Sequence, residues 1–307
     1  MQSLIKISDI SASEIENLIG LAFEYKKKFA LGIRKENLLN GKMVAMIFEK
    51  PSLRTKVAFE IATEYLGGTA VYLSNAQILA SGQNQRGRES IPDIARNLER
   101  FSDLILARVY DHQTITTMSG HIKKPIINAL CDLHHPTQSL ADLMAIRGHK
   151  GGDQISLTYI GDGNNVATSL AQICLISGIN FTFCGPKTHQ INPDFISAVE
   201  AKASFSIVED PYEAVSNADC VYTDTFVSMG EENEKIEKLA AFAKYQVDKS
   251  LFEAAKSDAV FMHCLPAHRG EEVTDEVMDH ERSIVFDQAE CRMHVAKALL
   301  TQMLRAT

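Results

Sequence analysis

The sequence contains no run of about 18 apolar residues, the length a membrane-spanning helix requires, and its opening stretch, MQSLIKISDISASEIENLIGLAF, lacks the basic segment and unbroken apolar core of an export signal. It has no C-x-x-C pair. The six cysteines, Cys131, Cys174, Cys184, Cys220, Cys264 and Cys291, are too widely spaced for a disulfide framework or a zinc site. Basic charge is in deficit: 31 Lys and Arg face 39 Asp and Glu, and apart from Lys26-Lys27-Lys28 the basic residues are scattered. Nucleic acid and anionic membranes are therefore excluded as partners by bulk charge. No low-complexity tract and no internal repeat is visible. These absences imply a reduced, cytoplasmic, globular protein in which any anionic ligand is held by a few placed arginines and backbone N–H groups.

What is present fits a two-domain α/β chain. Its 307 residues match two domains of roughly 150, each able to bury its own core. Ser11 and Ser13, each with a Glu three residues on, can cap a helix whose Ile15, Leu18, Ile19, Ala22 and Phe23 share one face. Short apolar runs at 43–48, 69–73, 103–108 and 125–130 then read as buried strands, separated by helix-period segments around 53–66, 90–100 and 111–121. Such alternation predicts a parallel sheet with crossover helices. A helix over 137–149 ends at Gly148 and Gly151-Gly152, and a second series follows with strand candidates at 155–161, 179–185, 204–210, 219–224, 259–264 and 283–288. The expectation is a domain over 1–150 and another over 151–307, each a mainly parallel sheet flanked by helices, with a final helix over about 289–305 packing back on the first domain.

Ligands of such sheets sit beyond the carboxyl ends of the strands, so the strand-to-helix junctions carry the chemistry. At the first junction, Ser52-Leu53-Arg54-Thr55 offers hydroxyls, helix N-terminal N–H groups and a fixed cation, which suits a phosphate and equally suits a capped helix with a solvated arginine. Arg108 ends the third strand candidate, where a surface salt bridge is the plainer reading. His135-Pro136-Thr137-Gln138 closes the fourth; His135 can polarise a carbonyl and Gln138 can bind an amide. In the second half, Gly161-Asp162-Gly163-Asn164-Asn165, Asp224 followed by Ser228-Met229-Gly230, His263-Cys264-Leu265-Pro266 and Ala289-Glu290-Cys291-Arg292-Met293-His294 occupy comparable positions. The Gly161-x-Gly163 pair raises a nicotinamide-binding reading. Val166 in place of the third glycine, and a following strand that ends Phe183-Cys184-Gly185 without an acidic residue, argue against it.

Taken together and in this order, S-x-R-T, a strand-end arginine, HPTQ, GDGNN, D-x3-SMG, HCLP and AExRMH resemble the aspartate/ornithine carbamoyltransferase family essentially end to end. The resemblance implies that Ser52, Leu53, Arg54, Thr55, Arg108, His135, Pro136, Thr137, Gln138, Cys264, Leu265 and Arg292 bind carbamoyl phosphate. It implies that Asn165, Asp224, Ser228 and Met229 bind ornithine, the SMG segment marking the ornithine branch, and that Arg108, His135, Cys264 and Asp224 act in catalysis. The implied activity is transfer of the carbamoyl group to the side-chain amine of ornithine, giving citrulline and phosphate, in arginine biosynthesis; a different amine, such as putrescine or an acylated ornithine, is the alternative. No cofactor and no metal are implied. A homotrimer is, with active sites shared through the 74–88 loop, where Gln77, Gln83, Asn84 or Gln85 would reach a neighbour. Three departures from the pattern stand out: Leu53 and Lys56 replace a Thr and an Arg, Cys291 replaces an Asn, and the 74–88 loop is long.

Overall fold

The computed structural model describes residues 2–74, 89–151, 154–227 and 232–305. By its internal contacts the chain forms two compact units, one of Met1–Ala141 with Glu290–Thr307 and one of Asp142–Ala289. The sequence reading divides the chain at 150/151; the contacts divide it after Ala141 and again after Ala289, inside two helices.

In the first unit, helix α1 (Ala12–Ala30) opens with Ser11 as its N-cap, whose side chain accepts from the Glu14 backbone N–H while the Glu14 carboxylate accepts from that of Ser11. Strands β1 (Met43–Phe48), β2 (Thr69–Ser74), β3 (Leu104–Arg108) and β4 (Ile126–Leu130) pair in the order β2-β1-β3-β4, all parallel. Strands β3 and β4 are buried at every position, as expected for a parallel sheet covered on both faces. Helices α2 (Leu53–Tyr65), α3 (Ile91–Phe101) and α4 (His112–Gly120) make the crossovers. Between β1 and β3 the strand order reverses. That switch point puts the chain leaving Phe48 beside Arg108, which pair in register, and opens the crevice where such sheets take ligands.

The second unit contains β5 (Ser156–Ile160), β6 (Asn180–Cys184), β7 (Phe205–Val208), β8 (Cys220–Thr223) and β9 (Val260–His263) in the parallel order β7-β6-β5-β8-β9. Its switch point lies between β5 and β8, so the Gly161–Asn164 turn and Asp224 emerge side by side. A Cβ at Gly163 would lie 2.3 Å from the Gln190 backbone, so only glycine fits where this turn passes that loop. Helix α6 (Asn165–Ile176), which leaves the turn, is buried from Val166 to Ile176, consistent with its largely apolar sequence.

Helix α5 (Pro136–His149) follows β4, helix α7 (Lys235–Phe242) lies in the chain between β8 and β9, and helix α8 (Val285–Leu304) is the last among the described residues. From Glu290 onward α8 belongs to the first unit, where Thr301 and the α1 residue Tyr25 join hydroxyls at 2.7 Å. The strand expected over 283–288 does not form. Only Ser283 bridges to Phe261, and the helix begins at Val285 with Asp287 in its first turn. A three-residue apolar run fits the start of a buried helix as well as a strand, and the acidic residue favours the helix N-terminus. No helix among the described residues is long and apolar enough to cross a membrane.

Candidate functional site

The first unit gathers a cluster of cationic and polar side chains from four separate places in the chain. Ser52 caps α2, accepting from the Thr55 N–H at 3.3 Å, so the first turn of the helix opens beyond the carboxyl end of β1. Leu53 is exposed and presents only backbone there, Arg54 is half-buried and Thr55 is buried. Arg108 is 5% exposed although it is a cation, and Lys50, also buried, lies with its ammonium 4.4 Å from the Tyr110 ring. His135 and Gln138 are buried at the start of α5, and so is Thr137, whose hydroxyl has no hydrogen-bond partner among the described residues. Arg292, from α8, donates to the Gln138 side-chain oxygen and, at 2.9 Å, to the Thr55 hydroxyl.

The electrostatics follow from this crowding. Burial, and then the charges of Arg292, Arg108 and Arg54, hold the His135 pKa well below 6.5, so the imidazole is neutral at physiological pH. Burial, and next the Arg108 charge, also lower the Lys50 pKa. Repulsion among cations of this kind is relieved when an anion stands among them. Lys50 is a residue that motif reading passed over, because nothing in a lone Lys before a Pro shows that it is buried.

The second unit builds a different centre around Asp224, which follows β8 and is 5% exposed. Its carboxylate accepts from the Thr225 N–H at 2.8 Å, from the Cys264 thiol at 2.9 Å and from the Asn164 amide at 3.0 Å. Asn164 is the N-cap of α6: its carbonyl oxygen takes the Val166 and Ala167 N–H groups, which fixes its NH2 toward Asp224. The sequence reading singled out Asn165, which the fold makes the first residue of α6; the neighbour it left unassigned makes the hydrogen bond to Asp224. Behind the turn, Lys238 and Asp162 form a buried ion pair at 2.8 Å. Cys264 and Leu265 follow β9 in a turn where Leu265 has φ +59° and donates its N–H to His263 Nδ1 at 2.9 Å. Burial, with the Asp224 charge second, raises the Tyr159 pKa well above 10, so that phenol stays protonated. Ser228 and Met229, and Gln77, Gln83, Asn84 and Gln85 of the long loop, lie outside the described residues.

All six cysteines are free thiols, and Cys264 alone is not fully buried. Asp224, His263 and Cys264 bring three potential ligand atoms within 4.8 Å of one another. Both nitrogens of His263 are already engaged, by the Leu265 N–H and by Glu272 at 3.3 Å, so this grouping works as a hydrogen-bond network. A second grouping, His268, Glu271 and Glu272, has Glu271 paired with Lys235 at 2.7 Å.

Comparison with known proteins agrees with this division of labour. Residues 2–148 match the family model described as aspartate/ornithine carbamoyltransferase, carbamoyl-P binding domain, and residues 153–303 match the Asp/Orn binding domain of the same family. An anabolic ornithine carbamoyltransferase of Pyrococcus furiosus is 44% identical over 99% of this chain and 96% of its own length. The solved structure of the ornithine carbamoyltransferase of that organism superposes with a TM-score of 0.91 at 42% identity, covering 99% and 97% of the two chains. A solved acetylornithine transcarbamylase is 27% identical with a TM-score of 0.86, covering 99% of each chain. Two family models that between them span nearly all of the sequence, and a full-length relative at this identity, place the chain in the aspartate/ornithine carbamoyltransferase family.

Proposed function

We propose that the protein is an ornithine carbamoyltransferase, transferring the carbamoyl group of carbamoyl phosphate to the side-chain amine of L-ornithine in arginine biosynthesis. The observation that carries this reading is the buried Asp224 carboxylate with the Cys264 thiol against it, a centre suited to an amine, in a chain whose relatives at 40–44% identity are ornithine carbamoyltransferases. Carbamoyl phosphate is bound by Ser52, the Leu53 N–H, Arg54, Thr55, Arg108, His135, Pro136, Thr137 and Gln138, with Arg292, Cys264 and Leu265 completing its contacts. Ornithine is held by Asn165, Asp224, Ser228 and Met229.

The nucleophile is the neutral amine, whose solution pKa near 10 leaves only a small fraction reactive at pH 7. Asp224 and Cys264 orient its nitrogen, whose lone pair forms the new C–N bond at the carbonyl carbon. Arg108, the Thr55 hydroxyl and neutral His135 donate to the carbonyl oxygen as it gains charge. The bond between that carbon and the oxygen bridging to phosphorus then breaks. The electron pair leaves with the phosphate, held by Arg54, Ser52 and Arg108, and the proton lost by the amine ends on that phosphate. Positioning and oriented charge do the catalysis, with no covalent enzyme intermediate.

A panel of ornithine, N-acetylornithine, putrescine and aspartate, each supplied with carbamoyl phosphate and assayed for the carbamoylated product, tests the assignment. Ornithine should give the highest kcat/KM, and preference for another amine would overturn it. The protein acts in the cytoplasm as a homotrimer, with the 74–88 loop reaching a neighbouring site; sedimentation should show three copies.

A further inference from the structure

Beneath the two strand ends that carry Asp224 and Cys264 lies a buried polar triangle that the reaction itself does not use. Gln288, in the first turn of α8, is fully buried. Its side-chain oxygen accepts from the His263 backbone N–H at 3.0 Å, and its NH2 donates to Asp142 at 2.7 Å and to the Tyr222 hydroxyl at 3.1 Å. Tyr222 in turn donates to the other Asp142 oxygen at 3.2 Å. Tyr222 stands two residues before Asp224 on β8, and His263 one residue before Cys264 on β9. In the paired strands Tyr222 faces Met262 and Thr223 faces His263.

We propose that Gln288 and Asp142 are positioning residues for the reaction: they clamp the ends of β8 and β9 so that the Cys264 thiol and the Asp224 carboxylate meet at 2.9 Å. Two features single this triangle out from ordinary core packing. A carboxylate with 0% exposure is costly to bury, and an apolar side chain would fill the space at less cost if filling were the purpose. The pattern is also directional. Because Asp142 can only accept, it forces the Gln288 NH2 toward itself and leaves the amide oxygen for His263; the Tyr222 hydroxyl, kept protonated by burial and by the Asp142 charge, serves as its second donor. The catalytic turn is thus held through a backbone N–H that only a correctly oriented Gln288 can reach. This role rests on the reading of Asp224 and Cys264 given above.

The test uses Gln288→Met, Asp142→Asn and the exchange D142N/Q288E. Methionine leaves the His263 N–H without its acceptor. An amide at position 142 has one oxygen where the carboxylate has two, so it cannot accept from both the Gln288 NH2 and the Tyr222 hydroxyl, and the orientation of Gln288 toward His263 is no longer enforced. In the exchange, the carboxylate introduced at position 288 offers one oxygen to His263 and the other to the amide NH2 now at position 142, whose own oxygen takes the Tyr222 hydroxyl. Three of the four hydrogen bonds are restored with the charge moved; only the one from position 288 to Tyr222 is not. Both single variants should lower kcat/KM for ornithine by about tenfold, the scale of one hydrogen bond, while the Kd for carbamoyl phosphate stays within about threefold. Alkylation of Cys264 by iodoacetamide, followed by mass spectrometry, should accelerate at least about threefold as the thiol leaves its carboxylate acceptor. The exchange should return both readouts to within about threefold of the parent. Single variants matching the parent in both readouts, or an exchange no better than Asp142→Asn although circular dichroism shows both folded, would overturn the clamp. A parent protein that forms no citrulline would refute the assigned activity instead, and the alkylation rates would still decide the clamp.

Discussion

Replacing Asp224 by Asn separates the charge of the second-unit centre from its shape. The carboxylate accepts from Thr225 N–H, Cys264 and Asn164, while Asn164 is locked by giving its own oxygen to Val166 and Ala167. An amide at 224 must therefore point its NH2 either at the Asn164 NH2 or at the Thr225 N–H and Cys264 thiol, and at least one hydrogen bond to a charged acceptor is lost either way. Such a bond is worth roughly 1.5–3 kcal/mol. At roughly 2–4 °C per kcal/mol for a unit of this size, a loss near the middle of that range lowers Tm by about 4–8 °C. The catalytic loss should be larger, because the amine loses its anionic partner: kcat/KM for ornithine should fall at least about a hundredfold, while carbamoyl phosphate affinity holds within a few fold. Calorimetry, steady-state kinetics and equilibrium binding measure the three effects on one preparation. Equal weakening of both substrates would show that the residue serves the fold alone, and unchanged ornithine kinetics would remove Asp224 from the site.

Arg54→Ala should leave Tm nearly unchanged, because the side chain is only half-buried, yet weaken carbamoyl phosphate at least about tenfold through loss of a charged hydrogen bond; binding by calorimetry near the parent value would sink the phosphate assignment. Log(kcat/KM) for ornithine should rise with a slope near one from about pH 6 to 8.5 as the free amine increases. With the His135 pKa already well below 6.5, an inflection between pH 6 and 7 that His135→Gln abolishes would refute the neutral-imidazole role. His134, 2% exposed, has its pKa lowered to about 4, by burial first and then by the His112 and Lys6 charges. Above pH 6.5 neither state binds that proton; between 6.5 and 4 the unfolded chain does and the folded one does not. Stability therefore falls on acidification, by up to about 1.4 kcal/mol per pH unit in that window. His134→Phe should flatten the fall in urea midpoint between pH 7 and 5, and an unchanged fall would assign it to other groups.

The sequence by itself determined the architecture and named candidates for each site. Alternating apolar runs and helix-period segments are local signals, so nine strands appear where they were read, and the run at 283–288 failed because three apolar residues do not distinguish a strand from a helix start. Ser52–Thr55, Arg108 and His135–Gln138 could be picked out as candidates because ligands of a parallel sheet sit beyond its strand ends, a position visible in the chain. Only the tertiary structure decided which of them meet. Arg292 reaches Thr55 across 237 positions and Gln138 across 154, Asn164 turns to Asp224 because its oxygen is spent on a helix cap, and Gln288 finds Asp142 and His263 through a buried network. Hydrogen bonds between residues remote in sequence leave no periodic trace in it. They are fixed by how strands and helices pack, and in this protein they orient the side chains that the sequence could only place at the ends of strands.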